Sequence, residues 1–540
     1  LEPAAIVPFT QSNDRAARGL AKRLLAIVLL KSARENAARL LDEACDDLDF
    51  QYPVIFQEAL AQAAELKDLD RVFDLRLRAA AQAAGRDDHL GALIQLLNAA
   101  AEDFRAGAKN TNDPAGIRRM VEVYERVAQM TQRRLGLAQA ARGVRRSPTG
   151  GRLRMAHVVA QLVDGGHSTS RAAQTFLRYA DRERFDAYLF VTESLARFDQ
   201  HAGQVIASDF SDRRAPQRIR MFEQELGVPV ILPRARTSLL DAAAELHERM
   251  AELRIDVAFF HGSLATPIDW LLCAWRSAPW QFDRAFGGPL FCPAVDYQFF
   301  EFAGTMEKLA FLCRERGIPY GPLRYGGADL SHVADAEPIP RAAMGVPADH
   351  VLLGTMGHHL PARMSERFCR TVARVLRERP RATYVVVGPG PFGAQAAWFG
   401  ADLCGPTPSA ARVRFVGPTD VSERFAQAFD IYVNEYPNGG GVAVGEAMAA
   451  RKPVVCVKAG ETSLAMAGAF YVGPEHLVTP PTDEAYATRL ARLIDDPEER
   501  ARMGQALRAR YEAEFDGRKL TQDETERIWR VIHSSQKKPG

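Results

Sequence analysis

The sequence predicts an α/β protein with two Rossmann-like domains in succession, preceded by an all-α N-terminal domain. Three observations predict it. The chain has 540 residues, too many for one hydrophobic core when a domain takes roughly 100–200 residues. From about Asn13 to Arg145 it is rich in Ala, Leu, Arg and Glu, with apolar residues at helical spacing. Beyond that point short apolar runs of strand character alternate with helical patterns, twice over, as in doubly wound parallel sheets.

The helical part, residues 1–150, contains "LLDEACDDL", "YPVIFQEALAQAAEL" and "GIRRMVEVYERVAQM". Pro53, Gly85, Gly107 and Pro114 fall between such runs and suggest helices stacked as hairpins. No thirty-four-residue repeat with its Trp, Gly, Tyr and Pro positions is evident, so a helical-repeat array and a plain bundle both remain open. The basic, Ser/Pro/Gly-containing stretch from Arg142 to Arg154 marks the expected boundary. The first α/β domain, residues 151–340, follows with strand candidates at Met155 to Leu162, Ala187 to Val191, Val228 to Leu232, Val257 to Phe260 and Ala294 to Phe299. Helices at Ser170 to Tyr179 and Leu239 to Leu253 lie between them. The second, residues 341–540, runs through "VLLGTM", a helix from Glu366 to Leu376, "ATYVVVGPG", "VRFVGP", "IYVNEY" and "PVVCV". A final amphipathic helix, Gln522 to His533, is expected to cross back and brace the first domain.

Composition narrows the function classes. Lys plus Arg total 69 against 67 for Asp plus Glu, which leaves no basic footprint for nucleic acid or an anionic membrane surface. The seven cysteines are scattered and form no C-x-x-C pair, so reduced thiols, a cytoplasmic location and no zinc site are expected. The apolar stretch Leu24 to Leu30 falls far short of the roughly 20 residues that span a bilayer, and no cleavable signal is read before it. The run Val386 to Gly393, "VVGPGPFG", superficially suggests a dinucleotide fingerprint, but Pro389 and Pro391 interrupt the G-x-G-x-x-G spacing.

The most informative segment is Asp430 to Val455. A strand is expected to end near Glu435, followed by Gly439, Gly440 and Gly441 and a helix carrying Glu446. Glycines admit a ligand close to the backbone, and a helix start offers free N–H donors with partial positive charge, so a diphosphate fits there. Glu446 lies far enough along the helix to accept hydrogen bonds from ribose hydroxyls.

The glycine turn, the glutamate and "EAMAARKPVV" resemble the nucleotide-sugar signature of GT-B glycosyltransferases. Many retaining members carry a second glutamate eight positions earlier, where this chain has Asn438. That departure directs the resemblance to an inverting group, the O-GlcNAc transferases with the bacterial adhesin N-glycosyltransferases. The segments similar to that group are "DGGHSTSR" (Asp164 to Arg171), Ile255 to Pro289, "VDYQFFE" (Val295 to Glu301) and "AGETSLA" (Ala459 to Ala465).

The resemblance implies an inverting transfer from a nucleotide sugar, UDP-linked as in UDP-GlcNAc or UDP-glucose, to a protein side chain, without metal or other cofactor. It places His167 by the reaction centre, as a base or as a residue that orients the acceptor. It makes Arg363 the nearest cation for the leaving diphosphate, His358 and Asn438 donor contacts, and Gly166, His261 and Gly262 part of the acceptor side of the cleft. In Gly417 to Phe425, Thr419 and Ser422 stand where the family has a Lys and a His that hold the nucleotide.

Overall fold

The computed structural model describes residues 3–30, 33–48, 53–66, 68–105, 113–140, 151–165, 167–193, 210–234, 238–261, 266–285, 291–300, 303–323, 328–404, 411–460 and 463–534. Most of the stretch expected to mark the first boundary, together with Gly166, Gly262 and the Glu-Thr of "AGETSLA", lies outside them.

Helices at Arg15–Leu29, Arg34–Asp47, Pro53–Glu65, Leu69–Gly85, His89–Arg105 and Pro114–Leu135 build the N-terminal part. Asp14, Asp68 and Asp113 start three of them, each accepting from backbone N–H groups of the first turn that have no intrahelical partner. The last ends at Gly136, whose φ of 61° suits a residue without Cβ. The earlier helices enclose a core of their own around Leu25, Leu41, Phe56 and Leu75. The later ones do not. Leu93, Met120 and Tyr124 belong to the same core as Leu246, Trp270 and Trp275 of the first α/β unit. Tyr124 stacks on Trp270 with ring centroids 4.9 Å apart, and Trp275 Nε1 donates to the Ala128 carbonyl at 3.2 Å. The change in composition near residue 150 is therefore not a boundary between cores.

The first sheet has seven parallel strands: β1 (Leu153–Val159), β2 (Phe185–Val191), β3 (Val230–Ile231), β4 (Val257–Phe260), β5 (Trp280–Ala285), β6 (Tyr297–Phe300) and β7 (Tyr320–Pro322), in the order β3-β2-β1-β4-β5-β6-β7. Neither β5 nor β7 is among the strands expected from sequence. The strand expected at Ala294 to Phe299 begins only at Tyr297, because Cys292 to Val295 forms a turn in which Val295 N donates to the Cys292 carbonyl at 3.3 Å. The second sheet has five parallel strands, β8 (Val351–Met356), β9 (Ala382–Val387), β10 (Val413–Gly417), β11 (Ile431–Val433) and β12 (Val454–Val455), ordered β10-β9-β8-β11-β12. Strand order reverses beside β1 in one sheet and beside β8 in the other, the positions where such sheets open a ligand crevice.

The second unit's core runs from Ala328, Leu330 and Val333, ahead of the boundary expected at 340, to Phe515. The chain then leaves it. The terminal helix, Gly517–Ser534, packs Ile528 and Ile532 against Met155, Phe185 and Phe282 of the first sheet, and Glu524 accepts from Arg284 at 3.2 Å. No helix among the described residues is long and apolar enough to cross a membrane.

Candidate functional site

On the second unit, β11 runs into Asn434, Glu435 and the glycine turn, and the helix Val442–Ala449 starts directly after Gly441. None of the three glycines has positive φ; close packing is what requires them. A Cβ on Gly439 would lie 2.5 Å from Asn434 Nδ2 and 2.9 Å from the Glu435 carbonyl oxygen. The Gly440 N–H is already used, donating to Asn434 Oδ1 at 3.1 Å. The helix's first turn presents N–H groups that have no intrahelical acceptor, as at any helix start. Asn438 is half-buried in the turn.

Arg363 comes from the short helix Leu360–Arg363 that follows β8. Its Nε lies 3.0 Å from Glu435 Oε1. Its two terminal nitrogens point to the other walls: a Cβ on Gly357 would meet Nη2 at 2.3 Å, and one on Gly440 would meet Nη1 at 3.3 Å. The guanidinium thus spans the space between the loop after β8 and the glycine turn. Burial raises the Glu435 carboxyl above its ordinary pKa, and Arg363 opposes that rise.

Glu446 is buried at 3% exposure. Its Oε1 accepts from Ser422 Oγ at 2.8 Å and from Arg171 Nη1. Arg171 belongs to the first unit, in the helix Ser168–Tyr179, so this ion pair bridges the two sheets. Burial works against the Arg171 charge, but Glu446 outweighs it and holds the guanidinium above its ordinary value. The units also touch at Gly165, φ 69°, where a Cβ would lie 2.5 Å from Asp420 Oδ1. A cavity of about 450 Å³ opens beside this bridge, with Gly165, Arg171, Arg218, Asp329, Asp420 and Ser422 in its walls.

On the first unit, His167 caps the helix Ser168–Tyr179 and faces His358 edge-on across the cleft, ring centroids 6.4 Å apart. Its tautomer follows from its neighbours. Ser170 Oγ accepts from Val163 N at 2.9 Å, so its hydrogen goes to His167 Nδ1 at 2.8 Å, and Ser170 N points to the same nitrogen. The ring proton is then on Nε2, making His167 a donor. Burial, and secondly His358, lower its pKa to about 4, so the ring is neutral near pH 7. The loop that carries it is held by Arg218, which donates to the Val163 carbonyl at 3.1 Å and the Gly165 carbonyl at 2.8 Å.

His358 is exposed at the cleft. His261, expected to line it, is instead buried at 3% exposure. Its Nε2 meets His157 Nδ1 at 2.9 Å, its Nδ1 accepts from Arg284 at 3.1 Å, and Phe176 stacks on the ring. Both nitrogens serve the link between sheet and terminal helix, so none is left for an acceptor. Sequence reasoning missed Arg171, Arg218, Ser422 as a partner of Glu446, and Glu435. Arg171 had a usable signal, since it follows His167 by one helical turn on the same face. Among the described residues no three His, Cys, Asp or Glu side chains converge as a metal would need.

The arrangement can be set beside known proteins. Residues 349–496 match the family described as glycosyl transferases group 1. This group 1 segment contains β8 to β12, Arg363, Glu435, the glycine turn and Glu446. Over 220 residues the chain is 31% identical to the D-inositol 3-phosphate glycosyltransferase of Kineococcus radiotolerans and 30% identical to that of Streptomyces avermitilis, 38% of this chain in each case. It spans about half of those relatives, 50% and 46% of their lengths. Among solved structures, a mutant O-GlcNAc transferase from Thermobaculum terrenum is matched over 99% of this chain and 98% of its own, with TM-score 0.51 and 17% identity. A glycosyltransferase from Rickettsia africae is matched over 71% of this chain and 99% of its own, with TM-score 0.51 and 12% identity. The chain has the GT-B fold, two parallel α/β units behind a helical N-terminal region.

Proposed function

We propose that the chain is an inverting glycosyltransferase that moves a sugar from a nucleoside diphosphate donor, UDP-linked as in UDP-GlcNAc or UDP-glucose, to a protein side chain. The observation that carries this reading is the meeting of four features at one cleft: the helix start after Gly441, the Arg363 fork, the buried carboxylate of Glu446, and His167 opposite them. In this reading the helix start and Arg363 bind the diphosphate and absorb the negative charge left when the sugar–phosphate bond breaks, which makes a metal unnecessary. Glu446 binds the ribose. His358 and Asn438 contact the donor. Asn438, in place of a second glutamate, supports direct displacement without a covalent intermediate. His167, neutral and with its proton on Nε2, orients the acceptor or the donor phosphate as a hydrogen-bond donor.

A polypeptide acceptor is supported by the helices that share a core with the first unit and extend it beside the cleft. The names of the sequence relatives favour a second reading, a small phosphorylated polyol or a lipid- or polysaccharide-linked acceptor. A cytoplasmic location belongs to the same proposal and rests on seven cysteines without a pairing pattern.

Calorimetry with UDP, GDP, ADP and TDP, without metal, tests the donor site. Wild type is expected to bind UDP, and Glu446→Ala to weaken it at least tenfold. Failure to bind any of the four would leave a non-catalytic scaffold as the better reading. Labelled donor offered with protein substrates and with inositol phosphates then separates the two acceptor classes.

A further inference from the structure

Glu435 is the anomaly of the site. Its side chain is 0% exposed, and among the described residues neither carboxylate oxygen has a hydrogen-bond partner. Arg363 Nε approaches Oε1 to 3.0 Å, yet its N–H is not aimed for a hydrogen bond. A buried ion pair with so little hydrogen bonding does not recover its desolvation cost, so stability is a poor reason for it. Rigidity is a better one. On one side of Glu435, Asn434 is tied to Gly440 N at 3.1 Å; on the other, Tyr436 OH bonds Thr371 at 3.0 Å and Asp483 at 2.8 Å. The carboxylate is therefore a fixed charge behind the Nε edge of Arg363. A guanidinium is a planar fork, so a charge fixed behind one edge aims the opposite one. That opposite edge lies between Gly357 and Gly440.

We propose that Glu435 is a positioning residue for the donor's distal phosphate, acting through Arg363: it holds the guanidinium so that both terminal nitrogens meet the diphosphate in a bidentate pair. This rests on the donor-site reading above. It predicts an effect confined to the second phosphate, because a nucleoside monophosphate does not reach the fork.

The experiment is calorimetry of the full chain with UDP against UMP and GDP against GMP. In wild type the diphosphate of one pair should bind more tightly than its monophosphate. Glu435→Gln should reduce that ratio at least tenfold and leave monophosphate affinity within twofold. Arg363→Gln should do the same, and the double variant should lose nothing further. If Glu435→Gln does not fold, Glu435→Asp, which withdraws the charge by one methylene, should reduce the ratio at least threefold. An unchanged ratio, or an equal loss for mono- and diphosphate, overturns the role of Glu435 while the donor site stands. Wild type that binds no nucleotide of either pair overturns it together with that site.

Discussion

The two α/β units share a strand logic and differ in how their interiors are made. The second is closed by its own segment: from Ala328 to Phe515 its core is almost wholly aliphatic and aromatic, and of its buried carboxylates Glu435 and Glu446 lie at the cleft while Glu499 pairs with Arg489 and Arg492 of the same unit. The first draws on three stretches of chain, the later N-terminal helices, its own sheet and the terminal helix, and it buries His157, His261, Asp283, Arg284 and Glu524 where they join. One unit pairs its buried charges at the cleft or within its own segment; the other uses them to dock remote segments.

Substitutions can break this comparison. Trp270→Ala removes a fully buried ring that joins helices and sheet, and should cost about 3–5 kcal/mol. Scanning calorimetry should show the melting of the first unit and its helices shifted down while that of the second unit stays in place; a common shift would mean the units melt as one. Arg284→Met strands Glu524 and takes the donor from His261, and should cost about 3 kcal/mol with early proteolysis of the terminal helix. The matching change in the second unit, Arg379→Met, loses an exposed pair with Asp495 and should cost under about 1 kcal/mol.

A further effect is one of pH. The unfolded imidazole takes a proton at about 6.5, whereas folded His167 does so only at about 4. Its contribution thus favours the fold above the first value and is withdrawn as pH falls toward the second. His167→Gln should flatten the acid slope of stability between those values. An NMR titration of His167 with a midpoint near 6.5 would contradict both its burial and its assignment as a neutral donor.

How much of this was legible depended on whether a feature was local. The glycine turn, the helix bearing Glu446 and the loop bearing His167 are short patterns that a strand–turn–helix reading places at strand ends. Arg171 meets Glu446 across 275 residues, and no window of sequence contains both. Glu435 stood visible as a lone charge ending the apolar run "IYVNEY", but nothing in that run says it is buried behind Arg363. His261 was misjudged for the same reason: its position after β4 suggested the cleft, and the docking of Arg284 and Phe176 enclosed it.

The sequence by itself determined the helical N-terminal region, the two α/β series and the glycine turn that leads into the helix bearing Glu446, because periodicity, glycine content and caps act within a few residues. Tertiary structure alone decided that the later N-terminal helices and the terminal helix complete the first unit's core, and that Arg171, Ser422 and Glu435 are the partners of the site's charged groups. Those outcomes depend on burial and on pairs of charges far apart in the chain, whose energies exist only once the segments have packed.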